Sequence, residues 1–133
     1  MKDNQIRLFK KSGYSGIAIK YYLEETNIGR IENPDAQIEH TGVCGDTLQF
    51  FLKVNGNIIE DIKFQATSCV AGLSACSAVT VIVKGKTLQE AKKLTKEEIV
   101  KHLNAVPVIK THCVILALEG LIKVIEHYEK RKK

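Results

Sequence analysis

Cys44, Cys69, His112 and Cys113 are side chains that bind soft metals or react at sulfur, and Asp46 adds a carboxylate two residues after the first of them. Thiolate and imidazole are what iron or zinc requires. Their spacing does not suit a sealed structural zinc site, which usually draws on close pairs such as CxxC, and the chain has none. Ligands contributed one at a time make an open, exchangeable site, and such a site suits temporary cargo. Cys76 reads differently: two helical turns beyond Cys69, it is a small hydrophobe for the core. His102 and His127 fall on polar helix faces, and His40 reads as a solvated loop histidine.

These residues need elements that bring them together. "YSGIAIKYYLEE" (14–25) has helical composition, stopped by Asn27 and Gly29. Asn33-Pro34 marks a turn, and an extended piece around 37–43 leads into Cys44. "DTLQFFLKV" and "IIEDIKFQAT" flank Asn55, Gly56 and Asn57 and predict a hairpin. Apolar matching favours a three-residue loop, with Val54 facing Ile58, Phe50 facing Ile62 and Leu48 facing Phe64. Carried further, that register sets Asp46 against Ala66 and Cys44 against Ser68, next to Cys69. Period-two alternation puts Cys44 and Asp46 on the face of Leu48, Phe50, Leu52 and Val54, which helices should cover.

The stretch 70–85 is nearly all small or apolar and predicts a buried helix ended by Gly85. Thr87 with Glu90 and Thr95 with Glu98 have capping-box spacing. The last helix runs from about Thr111 towards Lys130, with Val114, Ile115, Leu118, Leu121, Ile122 and Ile125 on one stripe. If it enters over the hairpin end, His112 and Cys113 reach the same spot as Cys44, Asp46 and Cys69. The dipole at a helix start favours thiolate at Cys113 and Cys69.

Length and 44% hydrophobic content fit one domain with one core, with residues 1–13 as a possible N-terminal extension. No stretch resembles a signal peptide or approaches the roughly 20 apolar residues that span a bilayer, so a cytoplasmic protein is expected, with cysteines as thiols or ligands. The net charge of +5 owes much to Lys10, Lys11 and the 130–133 tail. Without an aromatic stacking pattern or a nucleic-acid motif, that charge reads as a solvated tail rather than a nucleic-acid surface, and it leaves open the docking of an acidic protein.

"TGVCGDTLQFFLKV", "IIEDIKFQATSCVAGLSACSAV", "VKGKTLQEA" and "VPVIKTHCVILALEGL" together resemble the IscU/NifU N-terminal family of iron-sulfur cluster assembly scaffolds, from about Tyr21 to Tyr128. The resemblance implies an α+β fold, a three-stranded antiparallel sheet with one face covered by helices, similar to SufE/NifU. It implies a 2Fe-2S cluster, or zinc as substitute, held by Cys44, Cys69, His112 and Cys113, with Asp46 tuning or replacing a ligand. Sulfur would come from a cysteine desulfurase, with Cys113 the acceptor candidate, and the cluster would pass to apo iron-sulfur acceptor proteins. An Hsp70-type chaperone would dock on residues 106–110, where Val-Pro-Val-Ile-Lys lacks one proline of the family's Leu-Pro-Pro-Val-Lys. His112 before Cys113 resembles the IscU type more than the SufU type, which carries lysine there and an insertion. Cys76 stands where the family often has serine. The rival readings are a zinc-bound sulfur acceptor of the SufU type, a zinc-stabilised interaction module, and a cysteine-dependent enzyme with Cys69 or Cys113 as nucleophile and His112 as base. For the last, the sequence offers no clear oxyanion or orienting group.

Overall fold

A computed structural model describes residues 16–42, 45–67, 70–104 and 111–132, together with Arg7 and Lys11. In chain order the elements are α1 (Gly16–Glu24), β1 (Ala36–Thr41), β2 (Thr47–Asn55), β3 (Ile58–Thr67), α2 (Val70–Val83), α3 (Leu88–Lys92), α4 (Lys96–Leu103) and α5 (Thr111–Lys132). The strands form one antiparallel sheet in the order β1-β2-β3. Helices α2 and α5 pack on the face that carries Leu48, Phe50, Leu52, Ile62 and Phe64, all fully buried. The fold is thus the expected α+β arrangement.

The hairpin register differs from the expected one. Asn55 pairs with Ile58, so the turn is Gly56-Asn57, with Gly56 at φ +66° in the first central position that a two-residue turn of this kind reserves for glycine. The register then shifts between Lys53 and Val54, and Leu52 pairs with Ile62, Phe50 with Phe64 and Leu48 with Ala66. The Asp35 carboxylate accepts the Val54 N–H at 2.7 Å beside that shift. The shorter turn moves the pairing by one place and the irregularity by one more. A two-place shift leaves every side chain on its predicted face, which is why the core survives the wrong register.

The α5 stripe is also turned. Val114, Leu121 and Ile125 are buried as predicted, but Ile115 is 39% exposed, and Leu116, Ala117, Gly120 and Val124 take its place. The reason is Gly120: a Cβ there would lie 2.7 Å from Phe50 Cε2, so the missing side chain is what lets α5 lie against β2. On the opposite face of the sheet Phe51 is buried beneath Arg30, whose guanidinium sits 5.0 Å from the ring centroid.

The free edge of β3 is covered by main chain. Phe64 exchanges hydrogen bonds with Asn27 (3.1 Å) and Gly29 (2.8 Å), and Ile59 with Gly85 and Lys86 (both 2.9 Å). These contacts satisfy an edge that would otherwise invite pairing with another chain. Both capping boxes form, at Thr87 with Glu90 and Thr95 with Glu98. Among the described residues no helix is long and apolar enough to cross a membrane.

Candidate metal centre at the start of α5

Strand β1 runs towards one end of the sheet and α5 runs back from it. Three contacts along the pair fix this direction: a Cβ on Gly42 would meet Leu116 Cδ1 at 2.7 Å, His40 bonds Glu119, and Arg131 donates to the Asp35 carbonyl at 2.8 Å. The first turn of α5, with His112 and Cys113, therefore stands at the end where β1 passes into β2. There Gly42 N–H donates to the Asp46 carbonyl at 2.9 Å and Gly45 N–H to the Gly42 carbonyl at 3.0 Å, forming a tight turn. Thr41 pairs with Thr47, and Thr47 with Thr67, so the end of β3 lies level with this turn. Helix α2 starts at Val70, three residues further on.

Of the predicted site residues, Asp46, His112 and Cys113 are described. Asp46 is half-buried just before β2, His112 is exposed, and Cys113 is 1% exposed. His112 Nε2 lies 3.5 Å from Cys113 Sγ. Two ligands on one tetrahedral ion, at about 2.3 Å for sulfur and 2.0–2.1 Å for nitrogen, would be about 3.5 Å apart. The two side chains are hydrogen-bonded to each other, and the same separation would let both bind one zinc or iron ion. Cys44 and Cys69 lie outside the described residues, as do the chaperone-type stretch 106–110 and most of 1–13. Among the described residues, no three His, Cys, Asp or Glu side chains group as a metal site.

Cys76 is fully buried in the core, as predicted. Burial pushes its thiol well above the usual range, and an electrostatic interaction with Cys113 acts in the same direction. Such a thiol resists becoming a ligand.

Two histidines differ from expectation. His40 sits on β1 rather than in a loop, with its side chain 12% exposed; Lys123 Nζ donates to its Nδ1 at 2.8 Å and its Nε2 pairs with Glu119 at 3.1 Å. A lysine donor on Nδ1 leaves the hydrogen on Nε2. The i, i+4 pair Glu119 and Lys123 was the available signal. His102 is half-buried rather than on a purely polar face: its Nε2 shares a 2.7 Å hydrogen bond with Tyr21 Oη, which ties α4 to α1. Burial raises the Tyr21 pKa. Gly42, whose bare Cα lets the turn touch Leu116, was also missed; nothing in the sequence marks it apart from the glycines around it.

A three-stranded antiparallel sheet with one face covered by helices, and a Cys-His pair at the start of the last helix, define the class of α+β domain to which the chain is compared. The chain belongs to the NifU-like N-terminal domain family, whose model matches residues 13–133. It is 38% identical over 117 residues to iron-sulfur cluster assembly scaffold protein IscU 1 of Archaeoglobus fulgidus, covering 86% of this chain and 76% of that protein. With the iron-sulfur cluster assembly scaffold protein IscU of Escherichia coli it shares 34% identity over 125 residues, 90% of this chain and 97% of the other. The solved N-terminal structure of a nitrogen-fixing NifU-like protein from Brucella abortus has the same fold, with a TM-score of 0.70 at 18% identity, covering 88% of this chain and 94% of that one.

Proposed function

We propose that this protein is a scaffold on which an iron-sulfur cluster is assembled and from which it is passed to apo acceptor proteins. The observation that carries the reading is the pairing of Cys113 Sγ and His112 Nε2 at 3.5 Å in the first turn of α5, at the end of the sheet where β1 passes into β2. The names of the relatives, scaffold proteins at 34–38% identity over most of the chain, support it. The cluster is cargo, and the protein is a carrier rather than a turnover catalyst.

In the finer reading the cargo is a 2Fe-2S cluster. Cys44, Cys69 and Cys113 supply thiolates, with His112 as the imidazole ligand and Asp46 beside the metal. A cysteine desulfurase delivers sulfur as a persulfide to Cys113, and iron binds the same thiolates. Zinc can occupy the site in place of the cluster, because the donor set suits either ion. The cytoplasmic assignment follows from the need to keep these thiols reduced.

The test is anaerobic reconstitution with ferrous iron and sulfide, read by iron and sulfide analysis and visible absorption. Serine at Cys44, Cys69 or Cys113 is expected to abolish stable binding, while Cys76→Ser keeps it. Equal iron loss in all four variants, or an unmodified protein that binds only zinc, would overturn the reading.

A further inference from the structure

Beside the proposed ligands, the strand side and the helix side of the site meet at a residue with no side chain. Gly42 follows β1 and opens the turn: its N–H donates to the Asp46 carbonyl at 2.9 Å and its carbonyl accepts the Gly45 N–H at 3.0 Å. Its φ lies outside the left-handed region, unlike that of Gly45 at +92°, so the backbone does not require glycine there. Space does. A Cβ at 42 would lie 2.7 Å from Leu116 Cδ1, 3.4 Å from Cδ2 and 3.5 Å from Cγ, so the whole end of that side chain faces the bare Cα.

Leu116 stands four residues after His112 on α5, on the same side of the helix and about 6 Å along its axis. Cys44 lies in sequence between Gly42 and Asp46. The Gly42–Leu116 contact therefore joins the segment that carries Cys44 and Asp46 to the helix that carries His112 and Cys113. Further along the same seam, His40 pairs with Glu119 at 3.1 Å and accepts from Lys123 at 2.8 Å, which fixes the rest of β1 to α5.

Carbon atoms pack best at about 3.5–4.0 Å, so a methyl group at 42 forces the two sides apart by about 1 Å. Leu116 is 4% exposed and belongs to the core, where dense packing leaves it little room to yield. The turn beyond the last β1–β2 pair, Thr41 with Thr47, is only half-buried at Gly42 and Asp46 and is the side that gives way. Metal sites tolerate about 0.2 Å in their ligand distances, so a displacement of about 1 Å takes the turn's donors out of reach.

We infer that Gly42 is a positioning residue, whose missing side chain sets the gap across which Cys44 and Asp46 share metal with His112 and Cys113. This rests on the reading that these residues hold the cargo. With the gap opened, His112 and Cys113 keep their 3.5 Å separation and still hold an ion, but with fewer thiolates around it.

Cobalt(II) is the probe, because it takes the tetrahedral sulfur and nitrogen donors that suit zinc, and its spectrum reports how many thiolates are bound. The full chain is titrated without oxygen as the unmodified protein, Gly42→Ala, Leu116→Ala and the double variant. Gly42→Ala is expected to bind roughly tenfold more weakly and to lose sulfur-to-cobalt charge-transfer intensity, while its urea midpoint moves little. On the Leu116→Ala background, where the crowding partner is gone, the same change should alter affinity by less than about twofold. Equal affinity and an equal spectrum in Gly42→Ala and the unmodified protein overturn the inference, as does an equal loss on both backgrounds. A Gly42→Ala chain that circular dichroism shows unfolded also overturns it, because Gly42 then serves stability rather than the site. Cys113→Ser separates the underlying reading: if it leaves the cobalt spectrum unchanged, the assignment of the cargo ligands fails. If it removes the charge-transfer band and Gly42→Ala does not weaken it, only the positioning role falls.

Discussion

The helices α3 and α4 each close the hydrogen bonds of their first turn within a few residues. Thr87 and Thr95 each accept from the backbone three residues on, and Glu90 and Glu98 return the bond to the threonine N–H at 3.0 and 3.1 Å. The end of the sheet at α5 is built from distant pieces: Gly42 against Leu116, Thr47 against Thr67, His112 beside Cys113. The starts of both helices are satisfied by their sequence neighbours. The sheet end gathers the side chains to which the proposed function assigns the metal. On that reading stability and cargo binding depend on different regions, and each can be disturbed separately.

The largest expected effect comes from the contact that seats α5. Phe50→Ala removes the ring that lies against Gly120 and is tilted on Phe64 with centroids 6.1 Å apart. It should cost about 3–5 kcal/mol in urea unfolding, and metal binding should fall with it because α5 loses its seat. A loss below about 1 kcal/mol would mean the helix is held by something else.

A change at the site should do the reverse. Asp46 is half-buried at the turn before β2 and can compete for iron or admit water. Asp46→Ala is expected to hold its cluster roughly tenfold longer under chelator and to pass it more slowly to an apo-ferredoxin. Its urea midpoint should barely move. Faster cluster loss would make Asp46 a stabilising ligand rather than a group that favours release.

Thr95→Ala tests the start of α4. Loss of this cap should lower stability by about 1 kcal/mol and leave reconstituted iron per chain unchanged. A drop in iron content would couple the two regions and break the contrast drawn above.

The smallest effect concerns acid. Hydrogen bonds from the Thr87 backbone and then its side chain, aided by Lys86 and Lys93, lower the Glu90 pKa. A depressed folded value gives stability that is present above the unfolded pKa of about 4.3 and is lost as pH falls through the folded value. Glu90→Gln should flatten the acid limb of a stability-pH curve in that window. An unchanged slope would show that the fully exposed carboxylate is screened by solvent.

Much of the architecture was legible because it is local. Capping boxes need a threonine and a glutamate three apart, and Gly85 stops α2 with φ +88°. The faces of β2 and β3 follow from period two, and so they came through an error of two places in the register. The resemblance in the Cys-His-Cys blocks pointed to the same family that the match over 13–133 establishes.

What only the tertiary structure decided are contacts between residues far apart in sequence. The register was set by the two-residue turn at Gly56-Asn57 and the irregularity between Lys53 and Val54, where Asp35 takes the Val54 N–H, features that apolar matching cannot see. The rotation of α5 was set by Gly120 meeting Phe50, which moved Ile115 out and Leu116 in. His40 was drawn into a network with Glu119 and Lys123 across 79 and 83 residues, and His102 onto Tyr21 across 81. Composition and spacing decide which groups can react or cap, because those are properties of a residue and its near neighbours. Which groups meet depends on how two surfaces settle to fill space, and that is decided by the packed molecule as a whole.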